Sequence, residues 1–241
     1  MIRRMCIMGL HRFANMALAV SCLTIGSFAF SPAAEAGCTD SPDTGVDWSG
    51  CRKRNLILSG YDFSGANMNK ADLFASDMRE TKMVGTDLTR ATMTQVNISD
   101  SDLTNANLSK VDGGRMVLQN VQLTGSSFEK AELFRADFAG SNLTNADLNK
   151  TELGRANFND SNLTGAQITF TNLARANFKD STMVGTDLSR SWTYLTQFEG
   201  VDLSGVVNLS QEQLELSCGD SDTKLPAGLT APAKWPCGSD D

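Results

Sequence analysis

Histidine is nearly absent from this sequence, and proline is absent from its long central stretch. The only histidine is His11, inside an N-terminal segment that we expect to be removed, so the remaining chain has none. Without histidine, the usual Ser-His-Asp and Cys-His nucleophilic systems and His-ligated zinc sites are excluded. No proline occurs between Pro42 and Pro226. Such a stretch suits a backbone that needs nearly every N–H for pairing with neighbouring chain segments.

The N-terminus has the pattern of a secretory signal peptide. Three arginines precede an apolar run over residues 13–30, and an Ala-Glu-Ala cleavage signal follows at residues 34–36. We expect cleavage after Ala36 and no transmembrane helix in the mature protein; the alternative is a buried core helix. Loss of residues 1–36 would take the net charge from -7 to -9, because three arginines and one glutamate leave. This acidity argues against nucleic acid and anionic membranes as partners.

Four cysteines remain after residue 36, namely Cys38, Cys51, Cys218 and Cys237. An even number in an exported protein predicts disulfides. We expect the local pairs Cys38–Cys51 and Cys218–Cys237, because the crossed alternatives would have to span the whole repeat region described below. A zinc site made of four thiolates is the other alternative, but Cys-x-x-Cys spacing is missing.

The central sequence repeats every five residues. From Leu58 to Leu203, 28 of the 30 positions at this spacing are Leu, Phe, Met or Ile, and the exceptions are Gly113 and Thr193. The residue two places earlier is Ala, Ser or Thr in 23 of 30 units. This period fits neither a helix nor a strand, and a fixed short period over a long stretch is typical of a solenoid.

Units such as Ala106-Asn107-Leu108-Ser109-Lys110 and Ala136-Asp137-Phe138-Ala139-Gly140 resemble the A-(D/N)-L-x-x consensus of the pentapeptide repeat family. The resemblance covers residues 56–207. It implies an all-β fold, a right-handed quadrilateral parallel β-solenoid with four pentapeptides in each coil. In such a coil we expect the apolar centre of each unit and the small residue two places before it to point inward.

A second period of 20 residues supports the four-sided coil independently. Four phenylalanines recur at this spacing and should stack inside one wall: Phe138, Phe158, Phe178 and Phe198. A column of glycine and asparagine, from Gly85 to Gly205, predicts a corner with positive φ. A glycine at a centre position predicts a bulge or bend at Asp112-Gly113-Gly114.

We expect caps at both ends, because a solenoid must cover its terminal apolar layers. Residues 37–55 form the N-terminal cap, with Trp48 over the first coil. Residues 208–241 form the C-terminal cap, with a capping box that starts a short helix at about 211–217 and with Trp235 as a plug.

Two outward columns are basic, and together with the aromatics between them they are the candidate binding residues. One column contains Lys70, Arg90, Lys110, Lys130, Lys150 and Arg190. The other contains Arg115, Arg135, Arg155 and Arg175. The aromatics are Phe74, Phe134 and Tyr194. This wall could bind an acidic protein, an anionic glycan or a lipid headgroup. Alternatively, the columns only keep the rod soluble and pair with nearby glutamates.

The sequence therefore predicts an exported, non-enzymatic structural or interaction module, periplasmic or secreted, with no catalytic residues, metal or cofactor. We expect no nucleic acid partner, and a monomer or an end-to-end dimer. The family resemblance implies an alternative, a DNA-mimicking protein that binds DNA gyrase. A carboxylate-dependent enzyme is a third possibility, since Asp and Glu are plentiful, but a filled solenoid offers no cleft.

Overall fold

The structure, a computed structural model, describes residues 37–237. The predicted signal peptide and the last four residues lie outside the described part. Among the residues that are described, we find no helix with the length and apolar character needed to cross a membrane.

Backbone pairing repeats every 20 residues along the chain. Asp47 forms a parallel bridge with Asn67, and the same column continues coil by coil to the bridge between Asp187 and Val207. Each coil thus has four sides of five residues, and each side meets the coils above and below at a single bridging residue. The right-handed quadrilateral parallel β-solenoid expected from the sequence is confirmed.

Each bridge uses backbone groups in both directions. The N–H of Leu58 donates to the carbonyl of Asp77 at 2.7 Å, and the N–H of Asp77 donates to the carbonyl of Leu56 at 2.9 Å. The same pair of bonds recurs on each side of the coils. A proline at any of these donors would remove one bond, which explains the long proline-free stretch.

The core is filled by two side chains from each unit, as predicted: the apolar centre and the residue two places before it. The predicted phenylalanine stack is present, with ring centroids 4.8, 4.8 and 5.5 Å apart from Phe138 to Phe198. These distances are close to the spacing of neighbouring strands, about 4.8 Å. Complete burial of each ring stabilises the fold by about 2 kcal/mol.

The bulge predicted at residues 112–114 is not observed. Asp112 is bridged to Thr92 on one side and to Glu132 on the other, so the ladder continues without interruption. Neighbouring side chains take the space that Gly113 leaves: a methyl group on Gly113 would lie 2.8 Å from Leu133 Cδ2 and 3.2 Å from Met116 Sδ. Met116 is a large residue at a position that is usually small, and it compensates for the small residue at the centre.

The backbone has positive φ at all four corners, not only at the predicted glycine and asparagine column. Every corner from Gly45 to Gly200 has a φ between 52° and 77°. Gly205, which the sequence placed in that column, is not among the residues with positive φ. Lysine, arginine and aspartate also occupy corners, because the interior packing and the bridges of each side hold the turn in place.

At the N-terminal end, the bridges begin before the predicted start of the solenoid, at Asp47 and Arg52. Lys53 interrupts the apolar row at a centre position, so the sequence pattern alone starts later. The Lys53 ammonium lies 3.8 Å from the centroid of Trp48, which is fully buried over the first coil. The Cys38–Cys51 disulfide, with a Cα–Cα distance of 5.4 Å, holds the cap and confirms the local pairing.

At the C-terminal end, helix α1 spans Gln211–Leu216 and begins with the predicted capping box. Gln213 joins it to the last coils, since its Nε2 donates to the carbonyls of Leu188 (2.8 Å) and Ser191 (2.9 Å). The buried Thr193 hydroxyl donates to the Gln213 carbonyl at 2.7 Å, which satisfies the polar residue at that centre.

The segment after α1 is tied back onto the cap. The Cys218–Cys237 disulfide, with a Cα–Cα distance of 5.4 Å, confirms the second predicted pair. The Trp235 indole N–H donates to the Ser217 carbonyl at 2.9 Å, and the half-buried ring packs against the core. The last coil also carries an ion pair between Lys224 and Asp202, with 2.9 Å between the charged atoms. Bonds from Ser204 and Lys224 lower the pKa of Asp202 to about 2.

Candidate functional site

The 20-residue register arranges the candidate binding residues in two corner columns. The Lys corner contains Lys70, Arg90, Lys110, Lys130, Lys150, Phe170 and Arg190. The Arg corner contains Arg115, Arg135, Arg155 and Arg175. All of these residues have positive φ, from 56° to 61°. The five-residue side between the two corners is the wall that the sequence analysis singled out.

The Lys corner is partly neutralised by a neighbouring carboxylate. The Lys130 ammonium lies 2.8 Å from a Glu129 carboxylate oxygen, and the Lys150 ammonium lies 3.7 Å from the same atom. The hydrogen bond and charge of Lys130, followed by the charges of Lys150 and Lys110, lower the pKa of Glu129. Part of this corner therefore fits the interpretation of a solubilising surface.

The Arg corner has no such partner. Within residues 37–237, no carboxylate oxygen lies within 4.0 Å of the side-chain nitrogens of its four arginines. Arg135, Arg155 and Arg175 line a groove of about 530 Å³ together with Leu195 and Gln197. Three exposed cations thus share one concave surface, a suitable arrangement for binding anions.

The groove does not lie on the wall where the sequence analysis placed the site. Gln197 belongs to the next side of the coil, so the groove opens from the Arg corner away from the Lys corner. The wall between the corners carries outward carboxylates along its middle, Asp72, Asp112, Glu132 and Glu152. Leu195 and Gln197 were not among the residues expected from the sequence; their columns could be read from the register, but the depth of the groove could not.

The predicted aromatics are not brought together. Phe74, Phe134 and Tyr194 share one column but are 60 residues, or three coils, apart. The Arg54 guanidinium lies 4.5 Å from the Phe74 ring centroid, and the Arg135 guanidinium lies 5.2 Å from that of Phe134. Each of these two aromatics therefore has its own basic neighbour and forms no shared aromatic surface.

Tyr194 has instead an aromatic neighbour that the sequence analysis did not include as a binding residue. Its ring stacks with Trp192 at a centroid distance of 6.3 Å and an angle of 17°. Trp192 is 52% exposed and Tyr194 is 43% exposed, so both rings are open to solvent. The Arg175 guanidinium lies 5.9 Å from the Tyr194 centroid, so this aromatic pair lies beside the Arg corner, on the wall between the two corners.

Many Asp and Asn side chains have a structural role. Those one place before a centre accept hydrogen bonds from the backbone N–H two residues later, as in Asp62 with Ser64 (2.9 Å) and Asn107 with Ser109 (3.1 Å). In the described range, no group of three or more Asp, Glu, Cys or His residues is arranged to hold a metal ion.

Comparison with known protein families agrees with this architecture. The family described as "Pentapeptide repeats (8 copies)" matches residues 71–109, and the family described as "Pentapeptide repeat region" matches residues 112–188. The chain is a pentapeptide repeat protein. None of the curated proteins compared with the chain matches it.

Solved structures of other pentapeptide repeat proteins are similar to this one. HetL of the cyanobacterium Nostoc sp. strain PCC 7120, involved in heterocyst differentiation regulation, has 20% identity and a TM-score of 0.42, with 78% of this chain and 85% of HetL covered. QnrB1, a plasmid-mediated fluoroquinolone resistance protein, has 12% identity and a TM-score of 0.49, with 77% and 92% covered. Rfr23 of the cyanobacterium Cyanothece 51142 has 31% identity and a TM-score of 0.26, with 44% and 62% covered.

Proposed function

We propose that this pentapeptide repeat protein is an exported, non-enzymatic interaction module that presents its Arg corner to an anionic partner. The observation that carries the proposal is that none of the four arginines of the Arg corner has a carboxylate partner within 4.0 Å in the described chain, whereas Glu129 pairs with two of the six basic residues of the Lys corner. Like charges one coil apart repel, so an unpaired cationic column is best explained by a ligand that neutralises it.

Two features support export. The N-terminal segment has the basic, apolar and Ala-x-Ala regions of a signal peptide. Both local disulfides have compatible geometry, with Cα–Cα distances of 5.4 Å, and disulfides persist mainly in oxidising compartments.

A non-enzymatic role is supported by the hydrogen bonds that the Asp and Asn side chains form with the backbone. The Asp and Asn side chains before the centres are bonded to turn N–H groups, so they are engaged in structure instead of being poised for proton transfer. The chain after residue 36 also has no histidine. The gyrase-binding alternative is disfavoured by the same observations that support export, because gyrase acts on DNA inside the cell, and by the cationic corner, which a mimic of DNA would not present.

The proposal is tested with the full-length chain expressed in a secreting host. We expect the exported protein to begin at Gly37 and to carry both disulfides, as measured by intact mass before and after reduction. Retention of the uncleaved chain in the cytosol, with all six cysteines as free thiols, would contradict export.

The exported protein is then used to capture binding partners from the exported fraction. Two variants that change the net charge by the same amount are used in parallel. In the first, Arg115, Arg135, Arg155 and Arg175 are replaced by Glu; in the second, Lys70, Lys110, Lys130 and Lys150 are replaced by Glu. We expect the Arg variant to lose its captured partner at least about tenfold and the Lys variant to retain it, since each lost charged contact is worth about 1.5 kcal/mol or more. Equal recovery by all three proteins would show that the Arg corner is not the contact surface.

A further inference from the structure

The groove at the Arg corner ends beside the Cys218–Cys237 disulfide. Leu195 and Gln197 line the groove in the coil after Arg175, and Gln197 is bridged to Cys218 in the following coil. Gln197 is exposed, so its column faces outward, and Cys218 takes the next place in that column. Cys237 is held there, with a Cα–Cα distance of 5.4 Å to Cys218. The last described residue of the chain is therefore anchored at the C-terminal end of the groove.

Four residues follow this anchor, namely Gly238, Ser239, Asp240 and Asp241. They lie outside the described range. An extended chain advances by about 3.3–3.6 Å per residue. Asp240 and Asp241 can therefore lie up to about 10 and about 14 Å from Cys237. We call these four residues the acidic tail.

The two arginines nearest to the anchor are within the reach of the acidic tail. Arg175 lies two coils before Cys218 and Arg155 lies three, which is about 10 and about 14 Å along the rod. Arg135 and Arg115 are about 19 and about 24 Å away, which exceeds the extended length of the tail. The tail can therefore pair with the C-terminal half of the Arg corner and leave the other half free.

Charge complementarity and tethering select the acidic tail over other anions. A guanidinium binds a carboxylate through two parallel hydrogen bonds, and the tail supplies one carboxylate for each arginine within its reach. A segment attached at the end of the groove has an effective concentration in the millimolar range, which a separate acidic molecule must match in solution. Ion pairs at a surface are individually weak, so a partner with several negative charges can displace the tail.

We propose that Asp240 and Asp241 occupy the C-terminal half of the groove, against Arg175 and Arg155, and that an anionic partner must displace them to bind the whole Arg corner. This inference rests on the proposed function, because it describes how access to the same Arg corner is regulated. A partner with a single negative charge gains little from this exchange. A partner with several charges binds first at the free arginines and then replaces the tail.

The first test is NMR spectroscopy of the exported protein, with the Nε–Hε signals of the four arginines of the Arg corner as the readout. Replacement of Asp240 and Asp241 by Asn should shift the signals of Arg155 and Arg175 and leave the signals of the other two arginines in place. In about 1 M salt, where the Debye length is about 3 Å, the wild-type signals of Arg155 and Arg175 should move towards those of the variant.

The second test is calorimetric titration with a polyglutamate peptide, which serves as the anionic probe. The variant without the two tail charges should bind the peptide about fivefold more tightly than the wild type, because the groove no longer has to be vacated. The control is Asp160→Asn combined with Asp180→Asn. It removes the same charge from exposed corners with positive φ, a conformation that asparagine tolerates. The control should change affinity by less than about twofold, since exposed charges outside the groove are largely screened.

Three results would overturn the inference. The first is that Arg155 and Arg175 do not respond to the loss of the tail charges, and the second is that all four arginines respond equally. The third is that the tail variant gains no more affinity for polyglutamate than its control does. In each case the proposed function would stand, provided that capture from the exported fraction still depends on the Arg corner.

The opposite combination separates the two proposals in the other direction. If Arg155 and Arg175 respond to the tail but capture is equal for the wild type and the Arg variant, the tail is the ligand of this corner. The proposed function would then fail, and with it the role of the tail in regulating access.

Discussion

The Lys corner and the Arg corner share one backbone design but differ in electrostatic surroundings. Lys110 and Arg155 have almost the same φ, 61° and 60°, and each lies in a column that repeats once per coil. Glu129 binds two lysines of the Lys corner, whereas no carboxylate of the described chain lies within 4.0 Å of the four arginines of the Arg corner. A basic column is thus not by itself a binding site; the residues beside it decide whether its charge is available.

The difference originates one residue before each corner. The residues before the Lys corner are polar or charged: Asn69, Thr89, Ser109, Glu129, Asn149, Thr169 and Ser189. The residues before the Arg corner are mostly small or aromatic: Phe74, Thr94, Gly114, Phe134, Gly154, Ala174 and Tyr194. Small and apolar side chains cannot pair with a guanidinium, and Phe134 and Tyr194 offer ring faces instead.

Among the changes that test the comparison of the two corners, substitutions in the core behind each corner should have the largest effect on stability. Phe158 belongs to the phenylalanine stack of the side that follows Arg155, and Leu148 lies two residues before Lys150. Phe158→Ala should lower the free energy of unfolding by about 4 kcal/mol and Leu148→Ala by about 3 kcal/mol, because each leaves a cavity in a filled core. Denaturant unfolding with the disulfides intact measures both.

Phe158→Ala should also weaken anion binding at the Arg corner, whereas Leu148→Ala should leave it unchanged. If Phe158→Ala lowered the free energy of unfolding by less than about 1 kcal/mol, the core would not be closely packed there, contrary to the observed stack.

A smaller effect concerns the backbone that the two corners share. Arg155→Asn and Lys110→Asn should each raise the free energy of unfolding by about 0.5 kcal/mol, because asparagine adopts positive φ at lower cost than longer side chains do. Thermal unfolding of the two variants beside the wild type measures the change. Gains of clearly different size would indicate that the corners differ in backbone as well as in charge.

The smallest effect is a dependence on pH that only the Lys corner should show. The pKa of Glu129 lies below its ordinary value of 4.5, chiefly because of Lys130. Its stabilising contribution is therefore present above pH 4.5 and is lost as the pH falls through the lowered pKa. We expect wild type to be slightly more stable than Glu129→Gln at neutral pH, and the difference to vanish in acid.

Urea unfolding of wild type and Glu129→Gln over this pH range tests the sign, with Arg155→Asn as a control that should follow the wild type in its pH dependence. A difference that persisted at the lowest pH would assign the effect of the substitution to packing instead of charge.

Most of the fold could be predicted because it depends on local periodicity. The five-residue row identified the inward residues, and the 20-residue row identified the phenylalanine stack. The failures occurred where neighbouring side chains compensate for an unusual residue at a centre position. Gly113 predicted a bulge, but Met116 and Leu133 fill its space. The first coil was not predicted because Lys53, a charged residue, takes a centre position in the apolar row. Its ammonium lies over the ring of Trp48 and outside the core.

The site was less predictable for a related reason. The columns of charge could be counted, and the arginines were recognised as candidates. Pairing of Glu129 with Lys150 depends on a side-chain distance between successive coils, and the stacking of Trp192 on Tyr194 depends on a side-chain distance within one coil. Neither distance can be obtained by assigning residues to columns from the 20-residue period.

The sequence by itself determined the solenoid, its register, the positions of its columns and the local disulfides, because residues five and 20 apart must occupy equivalent places once the backbone coils. Only the tertiary structure decided which residues of the basic columns pair with a carboxylate and on which side of Arg155 the groove opens. Those properties depend on the lengths and directions of side chains from several coils at once, and the linear spacing of residues does not encode them.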